Sequence, residues 1–212
     1  MGRPTVRRLA DRLLTGGLFI VLEGGEASGK STQAARLAAD LGALLTREPG
    51  GTALGERLRA ILLDPELPGV TPRAEALLML AARAQHVADV IAPALRAGRD
   101  VVCDRFSGST LAYQGYGRGL PVAELATVSA WAAGGLVPHR VILLEVPPHV
   151  AVARLRGRGG TDRMEIEGPT FFARVAHGFA ALAAGDLSHW RVVDGDATTD
   201  EVARRVAAAA RD

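Results

Sequence analysis

Gly24-Gly25-Glu26-Ala27-Ser28-Gly29-Lys30-Ser31 is the stretch on which the reading of this 212-residue chain turns. It satisfies G-x-x-x-x-G-K-[ST], a pattern in which glycines let backbone N–H groups wrap phosphate oxygens, the lysine reaches between phosphates and the hydroxyl meets Mg2+. The flanks agree with it. Leu18–Leu22 is a short, continuous apolar run, as expected of a strand buried on both faces. Ser31–Leu41 has helical spacing and Gly42 behind it as a stop signal. Strand, loop and helix in this order put the loop at a helix N-terminus, where the dipole favours an anion. Gly24, Gly25, Glu26, Ala27, Ser28, Gly29, Lys30, Ser31 and Thr32 are therefore candidate nucleotide-binding residues. Composition singles out Lys30 further: it is the only lysine beside 24 arginines, and asparagine is absent. A compositional bias has replaced lysine wherever arginine serves, and lysine remains where a compact ammonium is needed in place of a wide, forked guanidinium.

The rest of the composition bounds the class. At 212 residues, 48% of them apolar, the chain suits one domain with a sizeable core. A net charge of +2 gives no reason to expect nucleic acid or an anionic membrane as partner, and no apolar run approaches 18 residues. The single cysteine, Cys103, forms no internal disulfide, fits a cytoplasmic location and reads as a core residue of its strand. Residues 1–17, with Arg3, Arg7, Arg8 and Arg12, form a basic N-terminal extension read as disordered or briefly helical. Gly16-Gly17 interrupts its apolar stretch and no small-residue cleavage site follows, which argues against a secretory signal. Residues 18–212 are read as a single domain.

Strand and helix patterns alternate along that domain. Leu44–Thr46, Val101–Cys103, Val141–Val146 and Arg191–Asp194 read as further strands. Leu54–Leu63, Arg73 to about Arg96, Ser109–Tyr113, Val122–Ala133, Pro148–Arg156, Pro169–Ala184 and Thr199–Ala210 read as helices. Thr71 is placed to cap the second of these, with Pro72 in its first turn and Pro93 positioned to kink its end. The pattern predicts an α/β fold of the P-loop NTPase kind. A central parallel sheet of about five strands carries helices on both faces.

Asp104-Arg105 ends one of the predicted strands, at the sheet edge that faces the ligand crevice in open parallel sheets. A carboxylate there can hold Mg2+ together with Ser31, and the arginine can grip a second phosphate through two donors. Further on, Arg154, Arg156, Arg158 and Arg163 lie on a Gly-rich stretch, about residues 154–168, that also carries Glu165. Phosphoryl transfer is mostly positioning and charge neutralisation. A mobile, arginine-rich lid can supply both and exclude water.

Four strings, in order, make the chain resemble the thymidylate kinases. They are Gly24–Thr32, Arg47-Glu48-Pro49-Gly50-Gly51-Thr52, Asp104-Arg105-Phe106-Ser107-Gly108-Ser109-Thr110-Leu111-Ala112-Tyr113-Gln114, and the segment from Arg154 to Glu165. The resemblance runs from about Leu18 to the C-terminus. It implies transfer of the ATP γ-phosphoryl to dTMP, giving dTDP for dTTP synthesis, with Mg2+ accompanying ATP, in a homodimer. It also implies roles. Arg105 would clamp the dTMP phosphate, Arg83 would meet the thymine, and Thr110 would face the base edge with Gln114 nearby. Tyr113 would pack under the deoxyribose, Glu48 and Pro49 would line the base pocket, and Glu26 would lie near the acceptor sugar. The phosphate loop has no arginine and the lid is rich in them, which resembles the bacterial type, with Arg154 on ATP and Arg158 acting in the transition state. The chain departs from the family pattern at Ala27-Ser28, at Phe106 and at Thr110.

No general base is required, because a phosphate monoester acceptor is largely dianionic at neutral pH. His86, His139, His149, His177 and His189 are accordingly read as surface or packing residues, and Trp131 and Trp190 as packing. Two alternatives stay open. One is another nucleoside monophosphate kinase or a deoxynucleoside kinase on the same fold, the latter with Glu23 or Glu26 as base. The other is a nucleotide-binding regulator without turnover, for which an arginine-rich lid would have little use.

Overall fold

The computed structural model describes residues 16–67, 69–156, 163, 164 and 166–212. Residues 1–15 of the basic extension lie outside the described residues, as do Arg158, Asp162 and Glu165 of the lid and the side chain of Arg156. The described chain is anchored before the expected boundary at residue 18, since the Gly17 N–H donates to the Leu95 carbonyl at 2.8 Å.

Strands β1 (Phe19–Gly24), β2 (Leu44–Arg47), β3 (Val101–Asp104), β4 (Arg140–Glu145) and β5 (Trp190–Asp194) form one parallel sheet in the order β2-β3-β1-β4-β5. Every residue of β1 is buried, which explains its unbroken apolar run. Its side chains alternate between two cores. Ile20 and Leu22 join Val102, Ile142 and Leu144 against helices α1 (Lys30–Leu41) and α9 (Thr199–Ala209). Phe19 and Val21 join Val101, Cys103 and Val141 on the other face, under Val87, Ile91 and Leu95. The chain leaves β1 for β2, returns to β3 beside β1, then crosses to β4 on the other side. The order therefore reverses at β1, and the crevice between the carboxyl ends of β1 and β3 is the expected ligand site.

Helix α2 (Ala53–Leu63) begins at Thr52, whose side chain accepts from the Gly55 N–H. Thr71 caps α3 (Pro72–His86) by accepting from Ala74, with Pro72 in the first turn as the sequence predicts. The long helix expected to run on to Arg96 is not regular. It widens into a π-helical segment, Val87–Ile91, before the short α4 (Ala92–Arg96). Pro93 has no N–H to donate and its ring crowds the preceding turn, so the ladder widens there. The predicted Ser109–Tyr113 helix is longer than expected: α5 (Ser107–Thr110) runs into a second π-helical segment, Leu111–Gly117. Helices α6 (Val122–Ala132), α7 (Pro148–Arg156) and α8 (Pro169–Gly185) complete the described elements.

Trp131 does not pack inside. It is 83% exposed on α6, so its reading as a packing residue is corrected. Cys103 is wholly buried, and burial pushes its thiol far above the usual range.

Candidate active site

The phosphate loop joins β1 to α1. Its turn depends on Gly24, at φ 146°, where a Cβ would sit 2.4 Å from the Leu144 carbonyl oxygen. Lys30 opens α1 and is 6% exposed. Its Nζ donates to the Gly25 carbonyl at 2.5 Å and to Ser28 Oγ at 3.2 Å. Burial, and then the nearby Arg105, bring the ammonium down to about 8. It is a partly desolvated charge that gains from an anion brought to the loop.

β3 delivers the opposite wall. Ser31 Oγ donates to Asp104 Oδ2 at 2.5 Å, while Asp104 Oδ1 is buried without a hydrogen-bond partner. A hydroxyl beside an unpartnered carboxylate oxygen suits an oxygen-preferring divalent cation. Arg105 then takes a left-handed backbone, φ 71°, at a cost of roughly 1–2 kcal/mol for a residue with a Cβ. That turn sends its guanidinium over the loop. It donates to the Gly24 carbonyl at 3.0 Å, Ser109 Oγ at 3.1 Å, Glu26 Oε1 at 2.7 Å and Tyr113 Oη at 3.3 Å. Burial works against its charge, but Glu26, Tyr113, Asp104 and Glu23 outweigh that and raise its pKa. Tyr113 also donates to Glu26 Oε1 at 2.7 Å, and burial holds its hydroxyl well above the usual range.

Beside Arg105 opens a cavity. Glu48, Pro49, Arg83, Arg105, Thr110, Tyr113 and Gln114, the seven residues named for an acceptor nucleotide, all line it, as does Glu26. The buried Arg83 organises its wall, with Nε on Glu48 Oε2 at 2.8 Å, Nη1 on Ser129 Oγ at 2.8 Å and Nη2 on Thr110 Oγ1 at 2.9 Å. Its guanidinium lies 4.9 Å from the Phe106 ring centroid. A second cavity lies across the loop. It is lined by Ala27, Ser28, Gly29, Thr32 and Arg154 together with Gln33, Gly195, Ala197, Thr199 and Val202. Arg154 reaches the Gly195 carbonyl at 3.1 Å and, at 3.4 Å, the carbonyls of Ala27 and Ser28. Two cavities thus flank one phosphate loop, a geometry for two nucleotides meeting at their phosphates.

Arg163, read as part of the lid, rests here against α2 and α3. It pairs with Glu75 at 2.7 Å and donates to the Leu62 carbonyl at 2.9 Å. Glu23, proposed as a base for a nucleoside acceptor, is fully buried. It accepts from the Phe106 and Ser109 N–H groups, each at 3.0 Å, and from Ser109 Oγ. Burial raises its pKa, while its bonds and Arg105 oppose the rise. With those lone pairs engaged, it serves as a clamp on the β3–α5 turn.

Sequence reasoning missed several residues here. Arg59, Leu63, Met79, Phe106, Ser109 and Met164 line the acceptor cavity. His86 is buried and hydrogen-bonds Glu48 Oε1 at 3.1 Å and Thr46 Oγ1 at 2.6 Å, so it supports the pocket carboxylate and is no surface residue. Its signal was faint: it lies three residues after Arg83, on the same helix face.

The family model described as "Thymidylate kinase" matches residues 22–206. The chain belongs to the thymidylate kinase family. It is 50% identical over 196 residues to the thymidylate kinase of Synechococcus sp. (strain JA-2-3B'a(2-13)), covering 89% of this chain and 92% of that one. It is 47% identical over 201 residues to that of Solidesulfovibrio magneticus (strain ATCC 700980 / DSM 13731 / RS-1), covering 89% and 96%. The crystal structure of thymidylate kinase from Ehrlichia chaffeensis superposes with a TM-score of 0.74 at 29% identity, covering 90% of this chain and 97% of that one. In this thymidylate kinase family member, the matched range spans the phosphate loop from Gly24 on, Asp104-Arg105 and the residues lining both cavities.

Proposed function

We propose that ATP and dTMP bind on either side of Lys30, ATP over the cavity beside Arg154 and dTMP in the cavity beside Arg105. The reaction is that of the family, phosphorylation of dTMP to dTDP. The observation that carries the arrangement is the placing of two cavities on one phosphate loop, Glu26 lining one with Arg105 and Ala27, Ser28 and Gly29 lining the other. Arg105 holds the acceptor phosphate, and the Arg83–Thr110 wall reads the base. Tyr113, fixed by Glu26, lies under the sugar. No base residue is needed, since the acceptor arrives as an oxyanion. Lys30 and Arg105 lower the mutual repulsion of the two phosphate chains, and the β1–β3 crevice holds them in line.

Ser31 and Asp104 would hold Mg2+, which would supply positive charge against the phosphates. The lid arginines would add to this, with Arg158 on the transferring group. No helix among the described residues is long and apolar enough to cross a membrane. A cytoplasmic location is consistent with the buried, unpaired Cys103. A homodimer is supported by exposed apolar side chains on two contacting helices, Leu77 (65% exposed) on α3 and Val128 and Trp131 on α6.

ADP formation with dTMP, dUMP, dCMP, AMP and thymidine as acceptors tests the assignment. dTMP turnover above the ATP-only rate is expected, with thymidine inactive. Turnover of thymidine with none of dTMP would overturn it. Arg158→Ala is expected to lower kcat at least a hundredfold with little change in KM.

A further inference from the structure

Glu75, in the first turn of α3, has no exposed surface and no part in the chemistry above. Three side chains converge on it. Gln114 Nε2 donates to Oε1 at 2.9 Å. Arg118 donates through Nε to Oε1 at 3.2 Å and through Nη2 to Oε2 at 3.1 Å. Arg163 Nη1 lies 2.7 Å from Oε2. Arg118 is itself fixed by Glu167 and by the Phe171 ring, 4.8 Å away. Burial alone would push the Glu75 carboxyl up, but the bonds from Arg118 and Gln114 outweigh it and hold the group below the usual range.

An ionised carboxylate only accepts hydrogen bonds. The end of the Gln114 amide that faces Glu75 must therefore be its NH2, and a flip would set a carbonyl oxygen against a carboxylate. The other end is committed by the same constraint. The buried Gln114 lines the acceptor cavity, and among the described residues none donates a hydrogen bond to its Oε1. The amide thus offers the cavity an acceptor. A pyrimidine carrying a proton on N3, as thymine and uracil do, is a donor there, and cytosine is not.

We propose that Glu75 is a positioning residue for base selectivity, locking Gln114 so that its carbonyl faces the acceptor base. Arg118 and Arg163 keep Glu75 ionised, and ionisation forbids the flip. The proposal rests on the acceptor-pocket reading above. In Glu75→Gln the partner can donate as well as accept, so both Gln114 orientations become possible and discrimination between N3–H and bare N3 weakens.

The test compares wild type, Glu75→Gln, Gln114→Leu and the double variant with dTMP and dCMP, dCMP being measured as a competitor where its turnover is too slow. Glu75→Gln is expected to lower the dTMP-to-dCMP ratio of kcat/KM about tenfold, chiefly through the KM for dTMP, the size of one buried hydrogen bond. Gln114→Leu should do the same, and the double variant should fall no further than Gln114→Leu. A role in stability alone would lower both substrates in parallel and leave the ratio unmoved, overturning the proposal, as would ratios that multiply in the double variant. If Gln114→Leu lowers the ratio and Glu75→Gln does not, only the positioning role fails. If Gln114→Leu leaves it unchanged, the pocket reading fails with it. A measurement on the wild-type enzyme stands should Glu75→Gln not fold. The Gln114 side-chain NH2 resonances, assigned by their loss in Gln114→Leu, should be protected from solvent exchange without nucleotide. Exchange as fast as that of surface glutamines would overturn the proposal.

Discussion

Lys30 illustrates how function is bound to a destabilising choice at a single residue. Its folded pKa, about 8, lies below the ordinary 10.5. Between these values the unfolded chain keeps the proton while the folded chain releases it, so stability rises with pH across that window. Below about 8 both states are charged and the full burial cost stands. Lys30→Met is therefore expected to abolish turnover yet stabilise the ligand-free enzyme at pH 7, by on the order of 1–3 kcal/mol, with a higher melting temperature. Thermal melts should show the gain shrinking as pH rises from 8 towards 10.5. Lys30→Arg keeps the charge but not the shape, and a guanidinium cannot follow the ammonium between phosphates. A fall in kcat of at least a hundredfold is expected, read in the steady state with dTMP. Other residues were less legible. His86 and Trp131 are each a residue type without a motif around it. The first turns inward to Glu48 and the second outward to solvent, and only packing chose between them.

At the scale of elements, the second π-helical segment does the positioning. It carries Tyr113 and Gln114 on one side and packs on α8 through Gly117, where a Cβ would meet the Phe171 ring at 2.7 Å and Val175 at 2.9 Å. Phe171 stands edge-on to Tyr113, with ring centroids 6.1 Å apart. Gly117→Ala should force that contact apart at a cost of about 1–3 kcal/mol. Chemical denaturation should register the loss, and the KM for dTMP should rise more than kcat falls, because Tyr113 moves while the phosphate loop does not. The strands and most helix boundaries were legible, since periodicity and caps are local signals. The π widening was not. At Val87–Ile91 it answers Pro93, a local cause, whereas at Leu111–Gly117 the demand comes from α8, more than fifty residues away.

At the scale of the whole molecule, the apolar side chains on α3 and α6 predict association. Trp131→Glu sets a charge in the middle of that surface. On the homodimer proposed above, it should shift the mass measured by light scattering from dimer to monomer, and a wild-type mass of one chain would overturn that proposal. The two-cavity site belongs to this scale as well. The phosphate loop, Asp104-Arg105 and the P-loop α/β class could be read from the sequence alone, because backbone approach to phosphate, a point charge between phosphates and a parallel sheet each demand particular residues at fixed local spacing. What only the tertiary structure decided is which polar groups share a partner: Glu75 with Gln114, Arg118 and Arg163, Glu23 with the β3–α5 turn, Arg163 with the Leu62 carbonyl. A buried charge must be matched by donors from wherever the fold brings them, and that condition leaves no periodic trace in the chain.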